Sequence, residues 1–230
     1  MYQDIEYRLD GAVAYILHAR PNARNAESRN LLDEMDQALA AAVADDAVRA
    51  IVIGGQGDHF SAGHDLKEAE RERQGFTVEQ RWAYEEKRYF DYALRIWDCP
   101  KPTIARVQGA CIAGGFMVAN MCDLIVASDD AFFADPVGRT MSAAAVEVLI
   151  HPWVMGLRRA KEFLYTGERM PATEAHAIGM VNRVVPRSQL DADTQALAAH
   201  FDTHQLSHMS DEFASMRAGG LSGAIGRGKA

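Results

Sequence analysis

Cysteine is scarce in this chain. Its three cysteines, Cys99, Cys111 and Cys122, have neither CxxC spacing nor an even count, which excludes a disulfide framework and points to a reduced, intracellular protein. Positive charge is in deficit: 24 Lys and Arg stand against 32 Asp and Glu, a formal net charge of -8. That balance argues against the polyanion-binding surface a nucleic acid needs. It leaves an anionic small ligand open, because local amides and a few cations override a global sign. Long apolar runs are missing too, and none approaches the roughly 18 residues of a membrane span. The opening MYQDIEYRLD has no basic and then apolar stretch of the leader type. The expectation is a soluble, cytoplasmic protein without nucleic-acid or membrane partners.

Core-forming residues are abundant, at 48% of the 230, and the length fits one large domain or one domain with a helical appendage. Residues 5–9 and 13–17 flank Asp10-Gly11 and predict a β-hairpin. Leu31, Leu32, Met35, Leu39 and Val43 recur at helical spacing within 27–44, an amphipathic helix. A short strand over 50–53 precedes the turn Gly54-Gly55-Gln56-Gly57. Residues 66–97 read as charged helix with a break near Gln74-Gly75, and Pro100 and Pro102 bracket the entry to a strand at 103–107. A helix follows over 116–121, then strands at 124–127 and 131–133. Helices are expected at 143–151 and 157–164 with Pro152 between them, then a last strand at 181–185. Strand, helix and glycine turn recur without a clean period, which favours α/β layering.

Two glycine segments stand out. Phe60-Ser61-Ala62-Gly63-His64-Asp65-Leu66 follows a strand and turn, and Gly109-Ala110-Cys111-Ile112-Ala113-Gly114-Gly115 precedes a helix. Small residues let a ligand approach the backbone, and consecutive N–H groups attract negative charge, helped by the positive end of a helix. Two such loops brought together polarise a carbonyl that becomes an enolate. Taken singly, each reads better as a packing turn, since short glycine motifs are weak evidence. No G-x-G-x-x-G lies between a strand and a helix, so a dinucleotide loop is a poor rival.

Both loops in this order resemble the crotonase (enoyl-CoA hydratase/isomerase) family. Arg20-Pro21 with Asn25-Ala26, Pro100-Lys101-Pro102, Cys122-Asp123-Leu124, Thr166-Gly167 and the stretch 175–185 fall in family order around them. The likeness covers residues 3 to 190 and is specific for the fold rather than for one reaction. It implies an α/β spiral of strand–strand–helix units over 1–190 and a C-terminal helical trimerisation lobe over 191–230, with a homotrimer or dimer of trimers. It also implies an acyl-CoA substrate, a place in fatty acid metabolism, and no metal or separate cofactor, CoA being part of the substrate. The oxyanion donors would be the backbone N–H groups of His64 and Gly114, with the His64 imidazole a bystander. Ala62, Asp65 and Leu66 fall in the stretch that meets CoA adenine. Arg24 and Lys67 are candidate phosphate cations, although solvated surface charge explains them as well.

The family's two hydratase glutamates correspond here to Met117 and Val137, neither of which moves a proton. Hydration needs a group to activate water and one to protonate carbon. Glu147 and Asp135 are the substitute candidates. Glu147 and His151 lie four residues apart on one helical face, which is also the spacing of a partial metal site lacking its third ligand. Trp82, Tyr84, Tyr89 and the charged residues 68–73 would shape a lid over the acyl pocket, or form a solvated helix with one packed face. The lobe looks incomplete: 192–199 begins its first helix, 201–213 resembles its last part, and what relatives carry between them is missing. An enoyl-CoA hydratase/isomerase-type enzyme therefore stands beside two alternatives, a non-catalytic acyl-CoA binder and an acyl-CoA decarboxylase or hydrolase. A serine or cysteine hydrolase is weaker, because Ser61 and Ser142 sit in no nucleophile elbow and Cys111 and Cys122 have no evident base.

Overall fold

The computed structural model describes residues 2–140 and 146–202. Ser142, the first residues of the 143–151 helix, the lobe stretch beyond 202 and the glycine-rich end lie outside that range.

The chain opens with the expected hairpin. Strand β1 (Ile5–Asp10) runs antiparallel to β2 (Val13–His18), from Ile5 opposite His18 to Asp10 opposite Val13. Helix α1 (Arg29–Ala44) follows, then β3 (Ala50–Gly55), which pairs parallel with β2 and runs through the glycines read as a turn. The expected helix start at residue 27 is corrected. Ser28 caps α1 by accepting from the Leu31 N–H at 3.1 Å, because a hydroxyl outside the helix can take an orphan first-turn donor. Glu27 is thereby freed to bridge His64 as a one-residue parallel pair.

Residues 66–97 divide into α2 (Leu66–Arg73), α3 (Val78–Glu85), a π-helical turn (Glu86–Asp91) and α4 (Tyr92–Trp97). Thr77 and Gln80 form a capping box that starts α3 just past the expected break. Beyond Pro102 come β4 (Thr103–Val107), β5 (Ala110–Ile112), α5 (Gly114–Met121), β6 (Leu124–Ser128) and β7 (Phe132–Ala134). A short α6 (Val137–Thr140), α7 (Val146–Met155), α8 (Leu157–Thr166), β8 (Met170–Pro171), α9 (Ala172–Ala177), β9 (Arg183–Val185) and α10 (Leu190–Ala199) complete the described chain. Pro152 does not separate two helices as expected; it lies inside α7. One missing N–H costs a single bond there, and the break falls at Gly156, whose φ of 80° leaves the helical region.

The strands form two sheets, of orders β1-β2-β3-β4-β6-β9 and β5-β7-β8. After β3, successive turns of the chain leave one strand in each: β4 then β5, β6 then β7. In the larger sheet the residues alternate between two apolar layers. Ala14, Ile16, Ile51, Ile53, Ala105 and Val107 face the layer that includes α1, α4 and α5, whereas Tyr15, Leu17, Val52, Ile104 and Val126 meet Leu190 and Leu197 of α10. Strands covered on both faces read as continuous apolar runs. Among the described residues no helix is long and apolar enough to cross a membrane.

Candidate active site

The smaller sheet brings the two glycine segments together. Ser61 bridges Cys111 of β5, with Ser61 N–H donating to Ala110 O at 3.1 Å and Ile112 N–H to Ser61 O at 3.0 Å. Two residues on, Gly63 takes φ +80°, and a Cβ there would sit 2.7 Å from Ile112 O and 3.3 Å from Gly114 N. Only glycine lets the segments run so close.

At that crossing the backbone turns its donors outward. Gly63 O accepts from the Glu27 N–H at 2.8 Å, and Glu27 O accepts from Asp65 N–H at 3.1 Å. A trans peptide places N–H opposite C=O, so the His64 N–H points away from the Glu27 backbone. The Ala113 carbonyl accepts from Met117 N–H at 2.9 Å along the helix, which leaves Gly114 N–H at the open first turn of α5. Among the described residues neither amide donates to another group. Among the described residues Ala113, at φ 49°, is one of three non-glycine residues with positive φ.

A carboxyl lies beside these amides that sequence reasoning missed. Glu27 is fully buried, and a Cβ on Gly114 would overlap its Oε2 while lying 3.0 Å from Tyr89 Cε1. Oε1 is 3.5 Å from Ser61 Oγ, and Oε2 has no hydrogen-bond partner. Burial pushes the Glu27 carboxyl up to about 7; the nearby His64 and the Ser61 hydroxyl pull weakly the other way. In the sequence Glu27 passes for a first-turn helix acid. The available hint was Ser28, a good N-cap, which leaves the preceding residue outside the helix.

Above this carboxyl the His64 imidazole lies flat on Tyr89, with centroids 3.7 Å apart and planes 8° from parallel. His64 Nε2 faces Glu85 Oε2 at 3.5 Å, and Arg73 reaches the same carboxylate at 3.6 Å. Tyr89 also forms a wall of a small apolar cavity of about 20 Å³, lined among others by Leu32, Met35, Ala93, Met117 and Val118. Of the expected lid aromatics, Tyr84 and Tyr89 are buried and Trp82 is 65% exposed.

The remaining candidates separate. Met117 lines the cavity, and Val137 is buried, donating its N–H to Asp135 Oδ1 at 3.4 Å. Asp135 follows Ala134, whose carbonyl accepts from Ala113 N–H at 2.9 Å, so it abuts the second segment. Its Oδ2 accepts from His151 Nε2 at 2.8 Å, and His151 Nδ1 faces Asn120 Nδ2 at 3.4 Å. Both imidazole nitrogens are therefore turned to Asp135 and Asn120, while Glu147 is buried one turn earlier on α7. Asp65 caps α2 by accepting from Glu68 N–H at 3.0 Å and pairs with Arg20 at 2.9 Å. Ala62 donates its N–H to Arg24 O. Leu66, Lys67 and the Arg24 side chain are exposed. Burial pushes the Cys111 and Cys122 thiols well above their ordinary value, so neither offers a thiolate nucleophile. Among the described residues no group of three or more His, Cys, Asp or Glu is placed to hold a metal.

A family model described as enoyl-CoA hydratase/isomerase matches residues 8–219. EchA13 of Mycobacterium tuberculosis, named for enoyl-CoA hydratase, is 43% identical over 202 residues, and the match takes in 80% of this chain and 64% of that protein. The chain thus spans less than two thirds of that relative's length. A 4-chlorobenzoyl coenzyme A dehalogenase of an Arthrobacter species is 35% identical over 190 residues, 81% of this chain and 67% of its own. The crystal structure of an enoyl-CoA hydratase/isomerase from Xanthobacter autotrophicus Py2 superposes with a TM-score of 0.90 at 37% identity, covering 99% of this chain and 85% of that one.

Proposed function

The chain belongs to the enoyl-CoA hydratase/isomerase family, with the crotonase α/β fold, and from that premise we propose that it is an enzyme that binds an acyl-CoA thioester and stabilises its enolate. The observation that carries this reading is the Gly63–His64 peptide, whose carbonyl is held by Glu27, at the point where Gly63 packs against Ile112 and Gly114 of the second segment. Two fixed amides aimed at one oxygen reorganise little as charge develops, and each is worth about 3–4 kcal/mol of barrier. The apolar side chains around the small cavity beside Tyr89 and Met117 mark the side on which the acyl group would lie. The chemistry needs no metal or redox cofactor, since the amides polarise the carbonyl.

The reaction is not ordinary crotonyl-CoA hydration, because Met117 and Val137 carry no acid at the two family positions. The dehalogenase among the relatives supports that freedom: one fold serves more than one chemistry. The test is a panel of enoyl-, malonyl-, hydroxyacyl- and aroyl-CoA esters, scored for binding by calorimetry and for consumption. Binding with turnover of at least one supports the proposal, and binding without any turnover favours a non-catalytic acyl-CoA binder. Failure to bind every ester rejects both.

Assembly as a trimer or dimer of trimers, in a cytoplasmic setting, belongs to the same proposal. Val148, Trp153, Leu157 and Tyr165 expose apolar surface on α7 and α8, which a neighbouring subunit would cover. Light scattering at a single monomer mass would overturn it.

A further inference from the structure

We propose that Glu27 is the proton-transfer residue of this site, exchanging a proton with the carbon next to the thioester carbonyl. The inference rests on the acyl-CoA reading above and assigns a role that reading leaves empty.

Position comes first. The carboxyl occupies the space a side chain on Gly114 would fill, and a Cβ there would also lie 3.0 Å from Tyr89 Cε1. Tyr89 in turn walls the apolar cavity, and Gly114 opens α5, whose Met117 and Val118 line it. A carbonyl oxygen held by Gly114 N–H would therefore place its neighbouring carbon beside Glu27 Oε2, the oxygen without a partner. A buried polar atom left unpaired in a well-packed site is costly and calls for an explanation. A proton shared with a bound ligand supplies one.

Support comes second. The Glu27 backbone is pinned on both sides, its N–H to Gly63 O and its C=O to Asp65 N–H, so the acid and the His64 amide are set by one bridge. The groups facing the carboxyl are Ser61 and His64 of the first segment, Cys111 of β5 and Tyr89 of the π-helical turn, with Glu85 and Arg73 behind His64. Tyr89 and Cys111 stay neutral because burial pushes both upward. With burial holding the acid near neutrality, both of its forms are populated at working pH, as proton transfer requires.

In the step itself, the Glu27 carboxylate takes the α-proton and becomes the acid. The C–H electron pair forms the carbon–carbon double bond of the enolate, and the carbonyl π pair moves to the thioester oxygen held by the two amides. The reverse step returns the proton, so no oxidant or reductant is consumed.

The experiment follows α-deuterium incorporation into butyryl-CoA in D2O by mass spectrometry, with affinity measured in parallel by calorimetry. For the wild type the exchange rate should rise with pH through an inflection near 7. Glu27→Gln should lower exchange by about 10²–10⁴-fold with affinity changed by less than about threefold, a split that a purely structural role would not give. Glu27→Gln exchanging at the wild-type rate overturns this inference and leaves the acyl-CoA reading standing. A wild type that binds butyryl-CoA without exchanging it overturns the inference as well. No binding by the wild type overturns the acyl-CoA reading and the inference with it. Should Glu27→Gln fail to fold, the wild-type profile decides: an inflection near 7 supports Glu27, and a flat profile rejects it.

Discussion

His151 donates through Nε2 to Asp135 Oδ2 at 2.8 Å, and both side chains are fully buried although sixteen residues separate them. The pair ties α7 to the end of β7, which abuts the second glycine segment through the Ala113 N–H bond to Ala134 O. His151 also packs on Phe116, at 4.9 Å between centroids, and on Phe163. His151→Ala removes the imidazole from this aromatic nest and strands a buried carboxyl. It should cost about 3 kcal/mol in urea unfolding. A change below about 1 kcal/mol would show that the pair contributes little.

Glu27 gives a pH dependence of stability with a definite sign. Its folded value of about 7 lies above the ordinary 4.5, so the native state holds the proton that the unfolded chain releases first. Stability from this group is complete below about pH 4.5 and is lost as pH rises through 7. The window is worth about 3 kcal/mol. Glu27→Gln should match the wild type near pH 4 and exceed it by that order at pH 8. Parallel stability curves across pH 4–8 would show that Glu27 does not titrate in this window.

The His64 proposal concerns an amide rather than a ring. His64→Ala keeps the N–H and should keep ester turnover within about tenfold, the loss coming from the Tyr89 stack. A proline in the same place deletes the donor and should lower turnover by about 10²–10³-fold. Steady-state kinetics on whichever ester is consumed makes the comparison. Equal losses in the two variants would move the role to the imidazole.

Cavity size should set acyl preference. Ala93 is buried on α4 and lines the cavity with Leu32 and Met35. Ala93→Phe fills it, so octanoyl-CoA affinity should fall by about tenfold or more, since each methylene left unburied forfeits about 0.8 kcal/mol. Acetyl-CoA affinity should hold. Loss of both esters alike would place the acyl group elsewhere.

Much of the frame was legible in the residues. Leu31, Leu32, Met35 and Leu39 recur at helical spacing and all face the core of α1, because a period of 3.6 leaves one stripe to bury. Strand positions followed from apolar runs between turn residues, as at β4 and β6. Ends were less legible. Pro152 sits within α7 and Gly156 ends it, since proline keeps a helical φ while losing one N–H, whereas φ 80° at Gly156 takes the chain out of the helix. β8 is two residues long and exists only through its pairing with β7.

The order of motifs along the chain determined the fold, the two glycine segments and the vacancy at Met117 and Val137, because these depend on residue type and spacing. Tertiary structure alone decided that Glu27 leaves the helix, bridges His64 and brings a buried carboxyl against Gly114. Its environment is built from segments 34 to 87 positions away, and a group's proton affinity depends on what surrounds it in space. For the same reason His151 paired with Asp135 across the fold, an arrangement that its helical spacing from Glu147 does not disclose.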